Sequence, residues 1–151
     1  MKLAELLIER AELQRRIIQT SARLKQFAVV QEGDEPAVKP ETLISKLYSL
    51  HDQLEGVIVK INHANNSTEF APGVSLADAI VTREILKSKR SVFESLSKVA
   101  EIQQNRYSRN EIRFVTTIDV ENAITATDDL SKALRIIDSK IQAKNWEVEV
   151  S

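Results

Sequence analysis

Arg106, Tyr107, Arg109, Glu111 and Arg113 fall within one run of eight residues. A guanidinium presents a planar fork of donors that matches a carboxylate or a phosphate, and a phenol adds one more hydrogen-bonding group. Three such forks turned to one side would hold a small anion. In an extended stretch the side chains alternate, so Arg109, Glu111 and Arg113 share a face and Glu111 can instead pair with both neighbours. Two readings follow. The run is a site for an anionic small molecule, phosphate or carboxylate, or it is a set of ion pairs that ties this connection to the acids of adjoining helices.

The surrounding stretch, 105–119, is the one long segment that abandons the helical pattern, and it contains neither Gly nor Pro. The other two interruptions hold Gly33, Pro36 and Pro40, and Pro72 and Gly73, and read as ordinary turns. With Phe114-Val115-Thr116-Thr117-Ile118 closing it, the segment is predicted to be extended over 111–117 and ordered by side chains and strand-like pairing.

Other chemistry is sparse. Gly33, Gly56 and Gly73 are too widely spaced for a phosphate-cradling loop or a dinucleotide fingerprint. His51 and His63 occupy one predicted helix, neither with a Glu three residues before it, and there are no cysteines, so no metal and no cofactor are expected. Twenty-one basic against 22 acidic residues give a net charge of −1, which provides no general attraction to nucleic acid. Glu5, Glu9, Arg10 and Glu12 interrupt the N-terminal region, and no uncharged run approaches the ~20 residues of a membrane span. A cytoplasmic protein with no membrane partner is expected.

The elements that would position these residues are helices. With 42% hydrophobic but only 5% aromatic residues over 151 positions, the composition suits one all-α domain, 1–151, of long antiparallel helices in a bundle or coiled-coil hairpins. Over 2–31, Leu3, Leu6, Leu13, Ile17, Leu24 and Phe27 form a three-four stripe whose gaps are Arg10 and Thr20. Those two either set register against a partner helix or sit at the edge of a loose seam. Gly33 is placed to cap this helix and Pro40 to open the next.

Over 40–66, Leu43, Leu47, Leu50, Leu54, Val57, Ile61 and Ala64 keep the heptad without a break, which predicts an antiparallel hairpin with the first helix. Gly56 inside it marks a close backbone approach or a neutral substitution.

Ser75 with Asp78 three residues on opens a third helix. That helix carries two stripes, one through Val81, Ile85, Val92, Val99 and Ile102, the other through Leu76, Ile80, Leu86, Phe93, Leu96 and Ala100. So wide an apolar face predicts contact with more than one neighbour, while Lys87, Lys89 and Arg90 read as a solvated side. Asp119 caps a fourth helix, to about 144, with Val120, Ala123, Thr127, Leu130, Leu134, Ile137 and Ile141 inward. The alternating tail 146–150 has the period of a strand, with 112–117 as a conceivable partner.

Residues 1–5 and 8–14, the loop 30–36, Arg106-Tyr107-Ser108-Arg109-Asn110-Glu111-Ile112 with Phe114-Val115, and Ile141-Gln142 with Asn145-Trp146 together resemble the small bacterial proteins called septicolysin-like. The resemblance spans nearly the whole chain and brings no active-site residues with it. Its label implies a membrane-lysing toxin, whereas the residues themselves predict no membrane insertion. The expectation is a homo-oligomeric helical scaffold or interaction module, with an anion-binding protein or enzyme built on 106–113 as the alternative.

Overall fold

The computed structural model describes residues 1–105 and 114–151, with side chains as far as Glu101 in the first stretch. The described helices are α1 (Leu3–Phe27), α2 (Pro40–Ser67), α3 (Leu76–Asn105) and α4 (Val120–Glu147), and a small hairpin, β1 (Glu69–Ala71) and β2 (Val74–Ser75), precedes α3. The fold is all-α, as the periodicity predicts. The chain forms two compact units, Met1–Thr68 with Lys144–Ser151, and Glu69–Ala143.

In the first unit α1 and α2 pack along their heptad stripes. Leu3, Leu6 and Leu13 on α1 and Leu43, Leu50, Val57, Ile61 and Ala64 on α2 are all buried. Thr20 is buried with them, inside the seam, and Arg10 is half-buried. Pro40 takes the first position of α2, where its missing N–H leaves no helical bond unmade.

α1 ends at Phe27, earlier than the predicted 31, because exposed β-branched Val29 and Val30 follow with no packing to offset their poor helix preference. Gly33 therefore caps nothing; its φ of +91° serves a later turn in which the Asp34 N–H donates to the Gln31 carbonyl at 3.0 Å.

Gly56 is exposed, and a Cβ placed there would meet nothing within 4 Å. No backbone approaches it. Gly56→Ala is therefore expected to stabilise this unit by about 0.5–1 kcal/mol, read as a higher urea midpoint with an unchanged slope.

The tail closes on the start of α1. The Leu3 N–H donates to the Val148 carbonyl at 3.0 Å and the Val150 N–H to the Met1 carbonyl at 2.8 Å, in an antiparallel bridge that sets Lys2 opposite Glu149. The Lys2 ammonium lies 2.7 Å from Glu149 Oε1. Two expectations change here. Trp146 and Glu147 finish α4 rather than beginning a strand, with the Val148 N–H bonded to the Lys144 carbonyl at 3.1 Å, and the tail pairs with residues 1–3 rather than 112–117. Alternation identifies a half-covered edge but carries no information about its partner. Residues 112 and 113 lie outside the described residues, and Phe114 and Val115 are exposed and unpaired in any described strand.

The bond to Lys2, foremost among its causes, holds the Glu149 carboxyl below its usual range. A carboxyl depressed in the folded state stabilises above its unfolded pKa and ceases to do so as the pH falls through the folded one. Amide exchange at Leu3 and Val150, corrected for intrinsic rates, should lose protection across that acidic window. In Glu149→Gln protection should be lower at neutral pH and show no such step.

In the second unit the hairpin turns at Gly73, whose φ of +73° suits a residue without Cβ. It delivers Ser75 to the head of α3, where the Asp78 N–H donates to Ser75 Oγ at 3.1 Å and the Ser75 N–H donates to Asp78 Oδ2 at 3.0 Å. This is the reciprocal cap expected from the spacing. Asp119 opens α4 with a single side-chain cap, accepting from the Asn122 N–H at 3.1 Å.

Candidate functional site

Arg106, Tyr107, Arg109, Glu111 and Arg113 lie outside the described residues. The described chemistry centres on α3, and heptad geometry sorts that helix into two faces. Leu76, Ala79, Arg83, Leu86, Arg90, Phe93, Ser97 and Ala100 repeat three-four-three and are buried or half-buried throughout. This inner face meets α4, which runs antiparallel to α3, since Arg83 reaches Asp138 while Arg90, one heptad on, borders the same cleft as Ser131, one heptad back.

The inner seam differs from the predicted stripe at several positions. It contains two arginines and a serine that a search for apolar residues passes over, and it omits Leu96, which is exposed.

Arg83 is compensated. Its Nη1 lies 3.1 Å from Asp138 Oδ1, and its Nε lies 3.0 Å from Glu84 Oε1. The Lys87 ammonium also reaches Glu84, at 3.3 Å, and together, with Lys87 the larger influence, they hold that carboxyl below its ordinary range. Arg90 is different. Its Nε is shielded from solvent and has no hydrogen-bond partner, and neither Arg90 nor Arg135 makes an ion pair among the described residues. The expectation that Lys87, Lys89 and Arg90 form one solvated side therefore holds for the two exposed lysines and fails for half-buried Arg90. Its place four residues after Leu86 and three before Phe93, both on the inner face, puts Arg90 in the seam.

Lys87, Arg90, Ser131, Leu134, Arg135 and Asp138 line a cleft of about 570 Å³. In the first unit a second cleft, of about 450 Å³, lies between the end of α2 and the tail, with Lys60, His63 and Glu149 in its lining. His63 is exposed there, and the His51 ring is bonded through Nδ1 to the Leu47 carbonyl at 2.7 Å. Among the described residues no three His, Asp or Glu side chains group as metal ligands do.

The outer face of α3 is the other notable surface. Val81, Ile85, Val92 and Val99 are each more than half exposed, yet with Ser88 and Ser95 they complete an unbroken four-three repeat. A groove along Ser91, Val92, Ser95, Leu96 and Val99 is almost wholly apolar. Of the two stripes expected from the sequence, the one through Leu76, Leu86 and Phe93 is thus covered except at Leu96, and the one through Val81 and Val92 is open as far as Val99, Ile102 lying outside the described side chains.

Residues 10–150 match the model of a family of unknown function, DUF6847. The chain belongs to this family. It is also similar to a functionally unknown conserved protein from Corynebacterium diphtheriae, known from a crystal structure, at 38% identity over 100% of this chain and 99% of that one, with a TM-score of 0.94. No curated protein matches it. Family and fold agree over residues 10–150, and neither brings a reaction. Among the described residues no helix is long and apolar enough to cross a membrane.

Proposed function

We propose that the protein is a self-associating helical scaffold whose interaction surface is the outer face of α3. The observation that carries this reading is the exposed heptad itself. An open three-four repeat of branched aliphatics is the pattern with which one helix packs against another, and 81–99 presents it over about 27 Å. A second copy of α3 is a suitable occupant because the stripe is self-complementary when the helices run antiparallel about Arg90. Ile85 then meets Ser95, Val92 meets Ser88, and Val99 meets Val81, so each small serine takes a branched aliphatic from the other copy. A parallel pair would stack Ser88 and Ser95 on themselves.

Charge supports the same arrangement. Glu84 and Lys98, both exposed on one flank, come opposite each other twice, while Lys89 meets its own copy and extends its ammonium into water. Sedimentation should find a dimer or larger assembly at micromolar concentration. A monomer at every concentration overturns the reading. The relationship to septicolysin-like proteins is likewise a proposal, resting on the quoted motifs, and the scaffold reading takes no membrane activity from it.

A further inference from the structure

We infer that the cleft between α3 and α4 at Arg90 is a binding site for a small oxyanion, the phosphate or carboxylate group of a metabolite. Two antiparallel helices in heptad register repeat their layers every seven residues, so the Arg83–Asp138 layer should recur as Arg90 opposite residue 131. The arginine recurs but the acid does not. Ser131, half-buried, stands where the carboxylate would be.

Arg90 consequently has a shielded Nε with no partner, although its layer-mate one heptad away is paired. An arginine drawn into a seam without a counter-charge is costly unless an anion completes it. Arg135 adds positive charge to the same cleft, where Lys87 is already paired with Glu84 and Arg83 with Asp138, the only acid among the described lining residues. Ser131 leaves room for a ligand oxygen and supplies a hydroxyl to it. At about 570 Å³ the cleft also exceeds a bare phosphate and falls in the size range of small-molecule sites. This site is independent of the outer face of α3, which lies on the opposite side of the helix.

Thermal melting of the full chain in sodium phosphate and in sodium chloride of equal ionic strength tests it. The wild type should melt ~2–4 °C higher in phosphate. Ser131→Asp supplies the missing carboxylate, so it should melt higher than wild type in chloride and gain nothing further from phosphate. Arg135→Gln, on the exposed rim of the cleft, should keep the fold and lose at least half of the phosphate increment. The inference is overturned if wild type melts alike in both salts, or if Ser131→Asp retains the full increment, which would place the anion elsewhere.

Discussion

Val92→Lys should convert the assembled protein to a monomer while leaving its helical circular dichroism unchanged. Val92 lies at the middle of the open heptad on α3 and is 62% exposed, so a lysine there disturbs no packing within the chain. In a symmetric pair the substitution occurs twice. Each copy loses the burial of a branched side chain, about 2 kcal/mol, and the two together weaken association about a thousandfold before the added charges are considered.

Geometry can be checked separately from oligomeric state, because the chain has no cysteine to interfere. In the antiparallel arrangement Val81→Cys mixed with Val99→Cys should form a disulfide-linked pair on mild oxidation, while neither variant alone should do so. Self-linkage of the single variants would identify a parallel pair and overturn the register without overturning self-association. If Val92→Lys sediments like wild type, the outer face of α3 is not the contact.

Leu50→Ala should destabilise the first unit by about 2–5 kcal/mol, a large fraction of the ~5–15 kcal/mol available to a folded domain. Leu50 is only 1% exposed, sits near the middle of α2, and belongs to the seam that also buries Leu43 and Val57. Its removal forfeits the transfer of a whole isobutyl group from water and leaves a cavity between helices that cannot collapse freely. The measurement is the urea midpoint. Tyr48→Ala is the control: two residues away on the same helix and 70% exposed, it should change stability by no more than about 0.5 kcal/mol. Equal effects from the two would mean that the α2 face is turned otherwise than its heptad requires.

Much of this fold was legible because helices declare themselves locally. The seam of α2 repeats from Leu43 to Ala64 without an error, and Ser75, Asp78 and Asp119 are caps whose partners lie three residues away. Less legible were the points at which a distant segment decides. The alternation of the tail was visible, but its partner, residues 1–3, was not, because backbone pairing carries no sequence address. The 105–119 segment stands out by losing the helical period without Gly or Pro, and its arginine cluster lies outside the described residues. A hydrophobicity pattern counts Arg90 as outward although its spacing places it inward.

An all-α chain, the faces of α1, α2 and α4, the points where α2, α3 and α4 begin, and more apolar surface on α3 than one seam requires can all be read from the order of the residues alone. Periodicity, capping and composition act over one or two turns and are written directly in neighbouring residues. Which side of α3 is covered, that Leu96 is left exposed, and that Arg83 meets an acid while Arg90 borders a serine emerge only from the packed chain. Those outcomes depend on which residue of α4 comes opposite each residue of α3, a relation set by packing between segments some fifty residues apart.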